Sequence, residues 1–148
     1  MERSLVLLKP DAVARGLVGR IIGRLEGKGL KIVGLKMTKL DSARLERLYS
    51  MHKEKPFYEE LTGFMARGPI VAMVVEGPSA VSVVRSMLGV TDSARAQPGT
   101  IRGDLAVSKE KNVVHAADSP ERAEEEIRIL FKDEEIVGWE HPLSDYVY

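Results

Sequence analysis

The sequence predicts an α+β fold, in which helices cover one face of a four-stranded antiparallel sheet with the element order βαββαβ. Four short runs rich in Leu, Val and Ile are bounded by turn-forming residues, which is typical of buried strands. Segments with apolar residues three or four positions apart lie between these runs, as expected for amphipathic helices. The 148 residues contain no internal repeat, low-complexity tract or linker. We therefore expect a single domain, residues 1–148, with one core.

A strand and a helix are predicted at the start of the chain. Residues 4–8 form an almost wholly apolar run that ends at Lys9-Pro10-Asp11, which indicates a buried strand followed by a turn. Residues 17–25 place their Leu, Val and Ile side chains on one helical face. Another strip of the same helix carries three glycines, Gly19, Gly23 and Gly27. Because interior glycines weaken a helix by roughly 1 kcal/mol each, we expect a neighbouring backbone to approach this strip closely.

A second strand leads into a helical insertion and a third strand. The second strand is predicted at residues 31–39. Two short helices with apolar faces follow, at residues 42–53 and 56–66. Ser42 is the expected N-cap of the first of these helices, because serine side chains satisfy free backbone N–H groups there. Gly68-Pro69 then breaks the chain before the third strand, residues 70–75.

The remaining elements surround a long segment without periodicity. Gly77-Pro78 precedes a helix predicted at residues 79–88. Residues 89–104 contain turn formers and no periodic pattern, and an unstructured loop of this length in a small domain is usually functional. Residues 112–114 form the short fourth strand, and the last helix follows it.

One histidine, His115, follows the fourth strand directly and precedes a helix-start signal. Ser119 is a good N-cap, and Pro120 suits the first helical position. At about 100° per residue, Glu126 falls within the apolar arc of this helix rather than on its solvated face. An inward carboxylate near a strand-end histidine is what orients a nucleophilic or acid–base imidazole. From this segment alone, a structural histidine and a glutamate paired with an arginine are slightly better supported than a catalytic pair.

The composition limits the classes of protein to which the chain can belong. Lys and Arg total 22 and Asp and Glu total 22, and this zero net charge argues against a dedicated nucleic-acid-binding protein. The chain has no cysteine, which excludes disulfides and thiolate metal sites. No apolar run is long enough to cross a bilayer, and no leader precedes the first strand, so we expect a cytoplasmic protein without membrane contacts.

Cationic and polar residues near the predicted element ends and in the long loop indicate a site for a small polyanion. Lys9, Arg85, Arg95 and Arg102 are the cations, of which Arg95, between two alanines, most resembles an ordinary loop charge. Thr91 and Asn112 are uncharged donors near them. Arginine binds phosphate oxygens through two parallel hydrogen bonds, and lysine acts as a point charge. Each of these residues, taken alone, is better explained as a solvated surface group.

Two further side chains in the helical insertion are candidates for ligand contacts. Phe57 follows Pro56 at a helix start, where an aromatic ring can stack on a flat ligand or, equally, pack as a hydrophobic staple on its own helix. His52 has the pattern of a surface residue. No set of His, Asp and Glu has the spacing of a structural metal site, so we expect any metal to arrive with a phosphate ligand, as Mg²⁺ commonly does.

Six segments, in order along the chain, resemble the nucleoside diphosphate kinase family. They are Lys9-Pro10-Asp11, Arg15-Gly16-Leu17-Val18-Gly19, Lys55-Pro56-Phe57, Gly68-Pro69 before a strand, Pro98-Gly99-Thr100-Ile101-Arg102-Gly103-Asp104 and Asn112-Val113-Val114-His115. The resemblance covers nearly the whole length, and the last two segments together are very specific. It implies a ferredoxin-like βαββαβ sandwich with a helical insertion and a long nucleotide-binding loop.

The resemblance also implies a ping-pong transfer of the γ-phosphate from a nucleoside triphosphate such as ATP to a nucleoside diphosphate, with broad tolerance of base and sugar. His115 matches the residue that is phosphorylated, Glu126 the carboxylate that orients it, and Lys9 belongs to the same catalytic set. The residues that match groups holding phosphates and ribose are Lys9, Tyr49, Arg85, Thr91, Arg102 and Asn112. Phe57 matches the aromatic ring on which the base stacks, and His52 matches a histidine near the phosphates. Mg²⁺ is implied as a counter-ion bound mainly through the nucleotide phosphates.

Three features depart from the family pattern. Ala117 stands where a serine is usual, which removes a hydroxyl group near the active histidine. The loop after Thr91 lacks the usual Asn-Pro, and Gly23 and Gly27 replace longer side chains. We therefore expect weaker local order in these places, with activity retained.

The resemblance implies an oligomer, and it leaves two other functions open. Family members form hexamers or tetramers, and the tail ending in Tyr146-Val147-Tyr148 resembles the hexameric type, so we expect a homohexamer with a tetramer as the alternative. A nucleotide-binding module without turnover is mildly favoured by Ala117. A nucleic-acid-binding protein is a weaker alternative, because the zero net charge counts against it.

Overall fold

The computed structural model describes residues 1–148 and contains one four-stranded antiparallel sheet. The strands are β1 (Glu2–Leu8), β2 (Lys31–Thr38), β3 (Ile70–Gly77) and β4 (Val114–Ala116). Their order across the sheet is β2-β3-β1-β4. The predicted α+β fold with its antiparallel four-stranded sheet is therefore confirmed.

Seven α-helices connect and cover the strands. They are α1 (Pro10–Ala14), α2 (Val18–Lys28), α3 (Ser42–Leu48), α4 (Tyr58–Met65), α5 (Ala80–Leu88), α6 (Ile101–Leu105) and α7 (Pro120–Leu130). Short 3₁₀ turns occupy Ser50–His52, Ser93–Arg95, Asp133–Glu135 and Ser144–Tyr146. None of these helices has the length and apolar character that crossing a bilayer requires.

Helices cover both faces of the sheet, so the expectation of a single covered face is wrong. The side chains of Val6 and Leu8 pack with α2 and α5 on one face. Leu5 and Leu7 pack with α3 and α7 on the other. Since successive side chains of a strand point to opposite faces, an unbroken apolar run in β1 requires cover on both sides.

Several element boundaries differ from the predicted ones for local reasons. The N-cap of α3 is Asp41 rather than Ser42, because the Asp41 carboxylate accepts a hydrogen bond from the Arg44 N–H at 2.8 Å. The long loop at residues 89–104 contains the start of α6, which is capped by Thr100 accepting from the Gly103 N–H at 3.0 Å. Arg102 therefore lies in the first turn of a short helix and not in an unstructured loop.

The fourth strand begins two residues later than predicted. Val113 has a φ of +63°, in the left-handed region, and the Val114 N–H donates to the Asn112 carbonyl at 2.8 Å. This three-residue γ-turn is incompatible with a strand, so pairing with β1 starts at Val114. His115 consequently lies within β4, opposite Leu7, and not after the strand.

The glycine strip of α2 faces open space. A Cβ atom added at Gly19, Gly23 or Gly27 would meet no atom of this chain within 4 Å. The expectation that a neighbouring backbone approaches this strip is therefore wrong within the chain, because α2 is held from its other face by Ile21 and Leu25.

The C-terminal tail folds back on its own chain. The Tyr148 hydroxyl donates to the Gly29 carbonyl at 2.8 Å, and the Val147 side chain lies against Gly29. Tyr146, in contrast, is almost fully exposed.

Candidate active site

A hydrogen-bonded pair of His115 and Glu126 lies where β4 meets α7. His115 pairs with Leu7 across the sheet, which directs its side chain to the face that α7 covers. His115 Nε2 lies 2.8 Å from Glu126 Oε1. Glu126 is only 2% exposed, whereas the His115 side chain keeps 27% of its surface accessible. The histidine is therefore reachable by a ligand while its carboxylate partner is shielded from water.

The local sequence of α7 explains why this carboxylate is buried. Ser119 caps the helix by accepting from the Arg122 N–H at 3.0 Å, and Pro120 occupies the first turn. The inward face of the helix carries Ala123, Ile127 and Leu130. Glu126 lies on that same face, as the helical period predicts.

The charge state of Glu126 determines which nitrogen of His115 is free. Burial raises the pKa of Glu126, but the hydrogen bond and charge of His115 and those of Arg122 outweigh burial and hold it below its ordinary value. The ionised carboxylate accepts a hydrogen bond, so the proton of the neutral imidazole lies on Nε2. Nδ1 then carries a lone pair and has no hydrogen-bond partner in the protein. The pair therefore presents one nucleophilic nitrogen.

The sequence analysis allows an arginine partner for Glu126 but does not identify it; Arg122 contacts the other oxygen of the carboxylate. Arg122 Nε donates to Glu126 Oε2 at 2.9 Å, and another guanidinium nitrogen donates to the Leu48 carbonyl at the end of α3. The available signal was the spacing of four residues between Arg122 and Glu126, which places two side chains together on a helix.

Two arginines bind the backbone on either side of His115. Arg102 donates to the Val114 carbonyl at 2.7 Å and to the Gly89 carbonyl at 3.0 Å. Arg85 lies 3.4 Å from the Ala116 carbonyl. Burial, and secondarily the charge of Arg85, lower the pKa of Arg102 to about 10. The Nε of Arg102 is buried without a partner, which leaves one donor of this guanidinium free.

Lys9, Asn112 and Thr91 form one hydrogen-bonded network. The buried Lys9 Nζ donates to Asn112 Oδ1 and to the Glu110 carbonyl, both at 2.8 Å. Asn112 Nδ2 donates to the Thr91 carbonyl at 3.0 Å. Burial lowers the pKa of Lys9 from 10.5 to about 8, and the charge of Arg102 contributes in the same direction. The network thus holds the Lys9 ammonium in an environment that disfavours its charge, and an anionic ligand would stabilise that charge.

Asp11 supports the strained turn that leads into β4. Its Oδ2 accepts from the Val113 N–H at 3.0 Å, and the Lys9 N–H donates to the Val113 carbonyl at 2.9 Å. A β-branched residue in the left-handed region costs on the order of 1–3 kcal/mol and persists only where the surroundings impose it. The turn fixes where β4 starts, and therefore the position of His115.

The insertion between β2 and β3 contributes three aromatic side chains. Tyr49 is buried and its ring lies 6.3 Å from the His115 ring in an edge-to-face arrangement. Burial, followed by the charge of Glu126, raises the pKa of Tyr49. Phe57 is 45% exposed and its ring lies 5.4 Å from that of His52, whose Nδ1 is buried without a partner. Exposure of Phe57 favours a ligand platform over a staple.

The structure thus places the predicted residues in three groups. The first group is the pair of His115 and Glu126 with Tyr49 against it. The second consists of cations and donors around β4, namely Lys9, Arg85, Thr91, Arg102 and Asn112. The third is His52 with Phe57, which makes no direct hydrogen bond to the other two. Burial, followed by the charges of Lys55 and Arg122, lowers the pKa of His52.

The donors of this site suit an anion and do not form a metal cage. No group of three or more His, Asp and Glu side chains is arranged to hold a metal ion. The cations and amide groups described above instead offer N–H donors, which bind phosphate oxygens.

Comparison with known proteins gives one consistent result. A family model described as nucleoside diphosphate kinase matches residues 2–136. The nucleoside diphosphate kinase of Ignicoccus hospitalis is 61% identical over 141 residues, covering 95% of this chain and 96% of the relative. That of Archaeoglobus fulgidus is 53% identical over 148 residues, covering 100% and 98%.

Solved structures agree with the sequence relatives. A nucleoside diphosphate kinase from Halobacterium salinarum in complex with CDP superposes with a TM-score of 0.97 at 44% identity, covering 99% of this chain and 98% of the other. A nucleoside diphosphate kinase family protein from Babesia bovis gives a TM-score of 0.97 at 40% identity, with all of both chains covered.

Proposed function

Because the chain belongs to the nucleoside diphosphate kinase family, we propose that His115 is the residue that carries the phosphoryl group in its reaction. The family transfers phosphate from nucleoside triphosphates to nucleoside diphosphates in two half-reactions through a phosphohistidine, and the protein is accordingly a phosphotransferase. The observation that carries the assignment of His115 is its Nε2 contact with the buried Glu126, which leaves Nδ1 free at an accessible edge.

In the first half-reaction the Nδ1 lone pair attacks the γ-phosphorus of a triphosphate. The bond between this phosphorus and the β,γ-bridging oxygen breaks, and the nucleoside diphosphate leaves with the electron pair. The proton on Nε2 stays in its hydrogen bond to Glu126, which stabilises the positive charge that develops on the ring. A second nucleoside diphosphate then takes the phosphoryl group from Nδ1 by the reverse displacement.

The cations around β4 hold the phosphates during both displacements. Phosphoryl transfer has a loose transition state, so positioning and charge stabilisation supply most of the catalysis. Lys9, Arg85 and Arg102 supply the charge, and Thr91 and Asn112 supply further polar contacts to phosphate or ribose. The buried, unpaired Nε of Arg102 and the low pKa of Lys9 support this role, because both groups gain from an anionic partner.

Phe57 and the residues near it bind the base and sugar. A base that stacks on an aromatic ring without hydrogen bonds to its edges is held regardless of its identity, which gives broad tolerance of nucleotides. The exposure of the Phe57 ring supports this role. Tyr49 lines the site beside His115. His52, which packs against Phe57, contacts the phosphates in this proposal.

Magnesium fits this site as a companion of the nucleotide. The side chains around the site are mainly N–H donors, so the ion would be held mainly by the phosphate oxygens and not by a protein cage. The chemistry it would supply is neutralisation of charge on the phosphates of ATP or another triphosphate.

The chain acts as a single domain, residues 1–148, in a cytoplasmic homohexamer, with a tetramer as the alternative assembly. Exposed apolar side chains that lie next to each other support an oligomer, because isolated domains rarely expose large contiguous apolar patches. They include Leu35 and Met37 on the edge strand β2 and Leu143, Tyr146 and Val147 in the tail. The proposed partners are nucleoside di- and triphosphates, without membrane or dedicated nucleic-acid binding.

Labelling with a triphosphate tests the assignment of His115. Incubation with γ-labelled ATP and Mg²⁺ should place acid-labile, alkali-stable phosphate on the protein, and subsequent GDP should remove it as GTP. His115→Ala should abolish labelling and GTP formation, because neither of the other two histidines, His52 and His141, is hydrogen-bonded to a carboxylate. His141→Ala is the matched control, since His141 lies in the tail and stacks on Trp139. Labelling that survives in His115→Ala would refute the assignment.

A further inference from the structure

The Arg122 side chain lies between α7 and the end of α3 and is only 11% exposed. Its Nε donates to Glu126 Oε2 at 2.9 Å, and a terminal nitrogen donates to the Leu48 carbonyl. A second terminal nitrogen donates to Glu125 at 2.9 Å, but that carboxylate is half exposed to solvent. The guanidinium therefore connects the partner of the reactive histidine to the residue that precedes Tyr49.

Glu126 depends on this contact because its surroundings offer no other partner. Oε1 is occupied by His115 Nε2, and Arg122 Nε is the only donor to Oε2. Ala117, buried near the start of α7 against Val81 and Ala123, contributes no hydroxyl group. A buried carboxylate with one unpaired oxygen is unfavourable, and rotation toward water or protonation would relieve it. Either change would remove the acceptor that sets the tautomer of His115.

The geometry of the guanidinium suits it for orientation as well as for charge. Its nitrogens lie in one plane, so binding the Leu48 carbonyl at one end restricts where Nε can lie at the other. The Leu48 carbonyl is part of the segment that holds Tyr49 against the His115 ring. The end of α3 thus helps to position both the Glu126 carboxylate, through Arg122, and the His115 ring, through Tyr49.

We propose that Arg122 is a positioning residue for phosphoryl transfer, which keeps Glu126 ionised and directed at Nε2 of His115 and couples this pair to the end of α3. This inference deepens the proposed function and rests on His115 being the phosphorylated residue. Arg122 acts through Glu126 and does not itself contact the phosphate.

The pH dependence of the reaction gives a readout that a merely structural role would not change. The groups that face Glu126 are His115 from β4, Arg122 from its own helix and Tyr49 from the end of α3. Arg122 is one of the causes that lower the pKa of Glu126. Without Arg122 this pKa rises, so Glu126 takes up a proton at a higher pH and the acidic limb of the rate profile shifts upward.

Single-turnover measurement of phosphohistidine formation in the full-length protein tests the proposal. Arg122→Ala should slow this step by about tenfold, the lower end of the losses seen when an outer hydrogen-bond partner of a functional side chain is removed, while KM for ATP changes by less than about threefold. The acidic limb should move to higher pH. Millimolar guanidinium should restore part of the rate, whereas urea, a neutral molecule of the same shape, should not. Arg128→Ala is the matched control, because Arg128 is an exposed arginine of the same helix.

Arg122→Lys keeps the proposal testable if Arg122→Ala fails to fold. Lysine retains the positive charge but lacks the second arm that reaches Leu48, so we expect a rate reduced by about threefold and a smaller pH shift. The proposal is overturned if the folded variants match Arg128→Ala in rate and pH profile. If the His115→Ala variant is labelled as wild type is, the proposed function itself is refuted. Failure of the Arg122 proposal and failure of the proposed function are therefore distinguishable.

Discussion

The buried Lys9 ammonium should reduce the stability of the ligand-free protein near neutral pH. Burial lowers its pKa from 10.5 to about 8, although Nζ keeps hydrogen bonds to Asn112 and Glu110. Between these two values the unfolded chain binds more protons than the folded chain, so stability rises with pH across this window. At about 1.4 kcal/mol per pKa unit, the charged lysine costs folding about 3 kcal/mol at pH 7, and most of that is regained by about pH 10.

Urea unfolding of wild type and Lys9→Met, followed by circular dichroism at pH 7 and at pH 10, measures this effect. Other groups also titrate in this range, so the relevant quantity is the difference between the two proteins in how the free energy of unfolding changes with pH. Wild type should gain about 2 kcal/mol more than Lys9→Met between pH 7 and pH 10. A saturating nucleoside diphosphate should largely remove this difference, because phosphate beside Lys9 raises its pKa again. Equal pH dependence in the two ligand-free proteins would refute the reasoning.

Three further changes test separate parts of the structure. Gly103→Ala should destabilise the protein by about 1–3 kcal/mol in urea unfolding, because its Cβ would lie 2.0 Å from the Gln97 carbonyl oxygen. Gly23→Ala, whose Cβ would lie in open space, should instead stabilise the protein by about 0.5–1 kcal/mol. A Gly103→Ala variant more stable than Gly23→Ala would contradict the packing of α6. Phe57→Ala should raise KM about tenfold for purine and pyrimidine nucleotides alike in steady-state kinetics, with little change in melting temperature, and a change confined to one base would argue against stacking. Ser119→Ala should lower the free energy of unfolding by about 1 kcal/mol through loss of the α7 cap, and an unchanged urea midpoint would show that the cap contributes nothing.

The sheet and most helices were predictable because their signals are local. The apolar run in β1, the helical spacing in α2 and α7 and the cap at Ser119 all lie within a few residues. The inward direction of Glu126 followed from helical period alone, and the structure confirms it. The sequence analysis did not predict that helices cover the second face of the sheet, although the unbroken apolar run in β1 already implied it.

Other features depend on partners far along the chain. Val113 adopts its left-handed conformation because Asp11, about a hundred residues earlier, accepts its N–H, and no local pattern indicates this. Arg122 reaches the Leu48 carbonyl, a contact across 74 positions. The helical turn at Arg102 was hidden because α6 is only five residues long, too short for a periodic pattern. The catalytic and binding roles of the individual residues stay predictions until the variants above are measured.

At the left-handed turn of Val113, thermal stability and catalytic activity favour different residues. Selection for heat resistance alone would favour glycine or asparagine at this position, since both accept a positive φ at less cost. A glycine there would also free the backbone that delivers His115 and loosen its alignment with Glu126. Valine at this position therefore lowers the stability of the fold but restricts the backbone next to His115. Laboratory evolution toward heat-resistant variants should retain this valine only when activity is screened at the same time.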